Sequence, residues 1–136
     1  MSWWGAFVGI PFREGGRDRE ALDCWGLVRL VFAERFAVLL PDYADITSQD
    51  TRRVARAMAG ACDAGPWRSV TEPQAGDVLM MTAAPGARLP LHVGVMTDAA
   101  HVLHTFPGQN SCVLPIRHHM IAPLVLGWQR HAKARA

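Results

Sequence analysis

The chain has few of the features that would assign it a class at a glance. No apolar run among its 136 residues approaches the roughly 20 residues a membrane span requires, so no membrane insertion is expected. The start, Met1-Ser2-Trp3-Trp4-Gly5-Ala6-Phe7-Val8, is apolar but has no basic n-region and no clear cleavage site. It does not read as a secretory signal peptide. Lysine is nearly missing: Lys133 stands alone beside 13 scattered arginines, and the formal charge is only +2. That balance is too weak for a nucleic-acid surface, and only the tail from Arg130 to Arg135 is locally basic. Cysteine is scarce and odd in number. Cys24, Cys62 and Cys112 cannot all pair within one chain, which argues against a disulfide framework and leaves a free thiol to explain. Repeats, low-complexity stretches and linkers are absent. His118-His119 and Cys112 lack a standard metal-ligand spacing, so neither a metal nor another cofactor is expected.

What is present is a globular composition, half hydrophobic with five Trp and five Phe, in a length that favours one domain over residues 1–136. Ser2 can cap a short helix over about Trp3 to Val8, ended by Gly9 and Pro11. Arg13 to Arg19, with Gly15-Gly16, reads as a loop. A second helix is expected from about Asp23 to Phe36, apolar over most of its surface and therefore largely buried. Leu40 to Tyr43 reads as a turn, and a third helix is expected from Ser48 to Cys62, with Arg52, Arg53 and Arg56 facing water. The turn-rich Glu72-Pro73-Gln74-Ala75-Gly76-Asp77 leads into a buried strand, Val78 to Met81. Strands follow at Leu91 to Thr97, His101 to Phe106, Cys112 to Ile116 and Leu124 to Gln129. Pro115 and Pro123 favour edge or strand-start positions. Helices first and strands after predict an α+β fold with a mostly antiparallel sheet.

The chemistry concentrates in Leu22-Asp23-Cys24-Trp25-Gly26. A thiol at a helix start meets backbone N–H groups and the positive end of the dipole, both of which favour a thiolate. A nucleophile also needs a base and a group that orients the base. His92 lies on a strand, with Gly94 leaving room on the same face for a side chain from the helix. If the turn pairs Met96 with Ala100, His92 faces His104 across the hairpin; a slipped register makes His104 a diagonal neighbour. Asp23 reads as an N-cap or as a substrate contact. Cys62 and Cys112 read as small apolar fillers.

Five segments in order carry a resemblance: Gly9-Ile10-Pro11-Phe12, Asp23 to Val28, Pro73 to Asp77, His92-Val93-Gly94-Val95, and His101-Val102-Leu103-His104. Together they resemble the NlpC/P60 family of cysteine peptidases over nearly the whole chain. The resemblance implies a papain-like core with N-terminal helices packed on the sheet. It makes Cys24 the nucleophile, His92 the base, His104 the residue orienting His92, and the Cys24 backbone N–H an oxyanion donor. It implies bacterial peptidoglycan stem peptides as substrate, cut often next to D-Glu. Two positions depart from the common pattern: Trp25 where many members carry Ser, and Phe12 where many carry Tyr. Both tend to lie near substrate in the family, so Asp23, Trp25 and Phe12 are the candidate substrate-binding residues. The Asp-Cys-Trp-Gly start looks more like the tail-associated branch of phages and gene-transfer agents. That implies location on a phage-like tail and tail-tip or hub proteins as partners. The alternative is a structural tail-tip or hub subunit with a weak or relict triad, and a less favoured one is an acyl-transfer or amidase relative on the same core.

Overall fold

The computed structural model describes residues 2–41, 66–82, 84–87 and 92–134. Among these, one α-helix packs on an antiparallel sheet. The helix expected from Ser48 to Cys62, with its three arginines, lies outside the described residues, as do Asp42 and Tyr43 of the expected turn.

A two-stranded hairpin comes first, β1 (Arg17–Asp18) with β2 (Ala21–Leu22), leading directly into α1 (Cys24–Phe36). The main sheet follows: β3 (Trp67–Val70), β4 (Val78–Met81), β5 (His92–Met96), β6 (His101–His104), β7 (Cys112–Pro115) and β8 (Val125–His131). Its order is β3-β8-β4-β5-β6-β7, antiparallel throughout, so β8 returns to lie between β3 and β4. Pro115 ends an edge strand, where its missing N–H costs no ladder bond.

The two faces of the sheet bury different side chains. Val78, Met80, Val93, Val95 and Leu103 meet Leu27, Val28, Val31 and Phe32 of α1. Alternation sends Leu79, Met81, Met96 and Val102 to the other face, where they pack with Ile121. Because Met81 pairs with His92 in the β4–β5 register, His92 belongs to this second face. The helix therefore covers the face opposite the histidine.

Three local expectations change. The segment from Trp3 to Val8 forms only a 3-10 turn, Gly5–Phe7, and Ser2 does not cap it; its N-cap is Trp4, with no side-chain bond. Arg17 and Asp18, read as loop, form β1. Strand β3 went unread because its half-exposed Trp-Arg-Ser-Val at the sheet edge carries no apolar alternation. The Pro73 to Asp77 turn, by contrast, has a clear structural use. Buried Asp77 accepts the Gln74 N–H at 2.9 Å and a two-pronged pair from Arg130 at 2.8 and 2.7 Å, locking the start of β4 to β8.

Close approach matters most at Gly26, in the first turn of α1. A Cβ there would collide with the Gly16 carbonyl oxygen, a backbone atom held by the β1–β2 hairpin. Gly26→Ala is expected to destabilise the fold by about 1–3 kcal/mol, the usual range for overpacking. Urea unfolding at pH 7.5 measures it, and a midpoint equal to wild type would contradict the close packing.

Candidate active site

Asp23 sets the start of α1. Its backbone is extended, and its Oδ1 accepts the Gly26 N–H at 2.7 Å, the bond of an N-cap. Oδ2 accepts the Gly15 N–H at 2.9 Å, and Oδ1 also takes Arg17 Nη1 at 2.7 Å. The residue is 6% exposed, so this carboxylate is committed to holding the hairpin, the preceding loop and the helix together. Of the two readings of Asp23, the contacts describe the N-cap.

Cys24 follows as the first helical residue, free and half-buried. Backbone N–H groups of Trp25 and Val93 point at its sulfur and favour the thiolate. Burial and the neighbouring Asp23 charge work the other way and win, pushing the thiol up to about 12. Burial thus works against the thiolate expected at the helix start. The contact with Val93 places the sulfur one peptide from His92, although α1 packs on the other face. The thiol meets β5 at the strand's starting end and through its backbone.

The hairpin register also differs from expectation. Val95 pairs with Leu103 and Met96 with Val102, not with Ala100. Thr97 N–H bonds the His101 carbonyl at 2.9 Å, leaving Asp98-Ala99-Ala100 as the turn. Asp98 Oδ1 accepts the Ala100 N–H at 2.8 Å and stabilises this turn, shifted by one residue from the expected one. Continuing the register sets His104 opposite Gly94 and Phe106 opposite His92. A Cβ on Gly94 would lie 2.6 Å from Val102 Cγ2 and 3.3 Å from His104 Cβ, so strand β6 uses the space that the helix was expected to use.

The diagonal arrangement still brings the two histidines together, with ring centroids 6.1 Å apart and planes at 87°. His92 Nε2 and His104 Nδ1 are both buried without a hydrogen-bond partner among the described residues. Burial, reinforced by His104, lowers His92 to about 3; burial, reinforced by His118, lowers His104 to about 4. Both rings are neutral at pH 7, the state a proton acceptor needs.

Two neighbours were not assigned a role from sequence. Phe106 stacks on His92, centroids 4.3 Å apart and planes at 14°. Cys112, read as a filler, sits opposite His104 in the β6–β7 register with Sγ 3.6 Å from Nε2. Period-2 spacing from His104 could have flagged Phe106; the seven-residue connection from Thr105 to Ser111 hides Cys112.

The other candidates divide. Trp25 turns its ring into the core, 8% exposed, and Nε1 donates to the Pro41 carbonyl at 2.7 Å. Phe12, half-exposed, bridges Leu22 beside the helix start. Its segment is held against residues 110–111, where Ser111 Oγ accepts the Ile10 N–H at 2.9 Å and donates to the Phe7 carbonyl at 2.6 Å.

The family model described as NlpC/P60 matches residues 9–130. Among solved structures, the chain is similar to the NlpC/p60 domain of the peptidoglycan hydrolase SagA, at 23% identity and TM-score 0.60, over 92% of this chain and 89% of that one. It is similar to a Staphylococcus aureus subsp. aureus Mu50 protein of the NLP/P60 family, at 17% identity and TM-score 0.62, over 93% of this chain. A Bacillus cereus ATCC 10987 NlpC/P60 family protein compares at 16% identity and TM-score 0.65, again over 93% of this chain. The matches span 38% and 37% of those last two chains. At such identities the likeness shows the fold, the α+β papain-like arrangement expected. No curated protein sequence matches this one.

Two outcomes are expected. Asp23→Asn keeps a capping oxygen but removes the charge that opposes ionisation of Cys24, so the thiol pKa falls. Mass mapping of iodoacetamide adducts at pH 8 should show faster alkylation of Cys24; an unchanged or slower rate contradicts the electrostatic coupling. The second concerns acid. Between about pH 6.5 and 4 the unfolded chain binds protons at His92 and His104 that the native state refuses. Stability therefore rises with pH across this window and is lost as pH falls, by roughly 1 kcal/mol per unit for each histidine. Urea titrations at pH 7 and 5 should show a smaller drop in His92→Asn/His104→Asn than in wild type.

Proposed function

This chain belongs to the NlpC/P60 family, and from that premise we propose that it is a cysteine peptidase cutting peptide bonds in bacterial peptidoglycan stem peptides. The observation that carries the reading is the thiol of Cys24 on the backbone N–H of Val93, one peptide from a neutral His92 whose ring is backed by His104. Description of the SagA domain as belonging to a peptidoglycan hydrolase supports the substrate class.

In this reading His92 takes the Cys24 proton through Nδ1 as Sγ attacks the scissile carbonyl carbon, since its Nε2 is buried without a partner among the described residues. The oxyanion forms against the Cys24 backbone N–H. The imidazolium, stacked under Phe106, then protonates the leaving amine and a thioester remains. Water attacks the thioester with His92 again as base, releasing the acid and restoring the thiol. Because both groups start neutral, the thiolate is made by proton transfer during attack instead of being stored as an ion pair.

The Asp23-Cys24-Trp25-Gly26 start supports delivery by a phage-like tail, with tail-tip or hub proteins as partners. Among the described residues no helix is long and apolar enough to cross a membrane. One observation favours the second reading, a structural hub subunit with a relict triad: a thiol held up to about 12 is a weakly activated nucleophile. Cys24→Ala and His92→Ala should each abolish release of new amines from purified muropeptides by more than a hundredfold while circular dichroism stays native. Retained cleavage in either variant rejects the peptidase mechanism. Tail particles that assemble with Cys24→Ala yet fail to enter cells favour the enzyme over the hub.

A further inference from the structure

His104 is fully buried, and its two ring nitrogens have different surroundings. Nε2 meets Cys112 Sγ at 3.6 Å, within hydrogen-bond range for sulfur; Nδ1 has no partner among the described residues, nor does Nε2 of the neighbouring His92. A neutral imidazole carries one proton, so the partner at one nitrogen decides what the other can do.

Two orders are available along this row of groups. If Cys112 donates its S–H to His104 Nε2, the His104 proton sits on Nδ1, and a tightening of the two rings, 6.1 Å apart at rest, would let it be donated only to a His92 Nε2 lone pair. His92 must then carry its own proton on Nδ1, and it cannot accept one from Cys24. If His104 Nε2–H donates to the Cys112 sulfur, Nδ1 holds a lone pair that His92 Nε2–H can meet when the two rings, unbonded at rest, tighten on substrate, which leaves His92 Nδ1 as a free base. The second order is favoured by donor strength, since an imidazole N–H is a better donor than a thiol. Burial favours it too: His104 has no exposure through which to satisfy an N–H in water, whereas Cys112 is half-exposed and can turn its own proton to solvent.

We propose that Cys112 is a positioning residue: its sulfur accepts the His104 Nε2–H and thereby sets the tautomer of His104, and through it that of His92 when the two rings tighten on substrate, so that His92 Nδ1 is unprotonated for the attack. The catalytic consequence rests on the peptidase reading above; the tautomer assignment does not. The cysteine acts from the edge strand β7 and touches neither the nucleophile nor the base in this role.

The test is a nitrogen-15 NMR measurement of the imidazoles in the full chain at pH 7, with muropeptide kinetics in parallel. Wild type should show His104 protonated on Nε2. Cys112→Val, similar in volume but without an acceptor, should lose that tautomer preference and lower kcat about tenfold or more with KM unchanged, as expected when a base is left in the wrong tautomer. Cys112→Ser, which keeps an acceptor, should recover both signals. A wild-type His104 protonated on Nδ1 overturns the proposal, as does a valine variant with wild-type nitrogen shifts. If wild type cleaves nothing in a Cys24-dependent way, the peptidase reading fails, and the nitrogen spectra of wild type and Cys112→Ser still decide the role of Cys112.

Discussion

The carboxylate of Asp23 accepts hydrogen bonds from the Gly26 N–H, the Gly15 N–H and the Arg17 guanidinium, and these come from three stretches of chain. Helix start, loop and hairpin are thereby joined within one small volume. Arg17 and Asp23 are both largely withdrawn from solvent, so removing one partner would leave an uncompensated buried charge. The position of the thiol depends on this junction, because Cys24 is the next residue and has no freedom apart from it. The close contact between Gly26 and Gly16 follows from the same junction: the helix can start here only if its first turn fits against the backbone of the hairpin.

The junction has an electrostatic consequence at the residue it positions. The negative charge that caps the helix also stands beside the sulfur and disfavours its ionisation, while the N–H groups of Trp25 and Val93 favour it. Burial decides the balance for the thiol and for both histidines, in opposite directions: the acid is held protonated and the bases unprotonated. A neutral resting pair surrounded by Phe106 and a second neutral imidazole differs physically from a stored ion pair. Under the proposed peptidase reading charge separates only during attack, and Phe106, stacked on His92, would be the ring in contact with the developing imidazolium.

Much of this was legible in the residues. Asp23 followed by an apolar run is a local signal, and α1 runs from Cys24 to Phe36 as its cap and periodicity imply. Val78–Met81 is likewise strand because a short β-prone run follows a turn. The Cys24, His92 and His104 trio could be named because its members sit in recognisable local contexts. The hairpin register was harder. It turned on where the three-residue turn sits, one residue later than expected, with Asp98 bonding the Ala100 N–H. Strand β3 left no pattern because each face of this short edge strand pairs one partly buried residue, Trp67 or Val70, with an exposed one.

What the sequence by itself determined is helix α1, the strands β4 to β8 and the candidate reactive groups, because capping, periodicity and turn chemistry act over a few residues. Tertiary structure decided the rest: that His104 lies diagonal to His92, that Cys112 meets His104, that the Trp25 indole turns inward to the Pro41 carbonyl, and that burial pushes the thiol pKa up. Each of these depends on strands and loops far apart in the chain, and on how much water their packing removes. Desolvation is a property of the assembled volume, and no short stretch of residues encodes it.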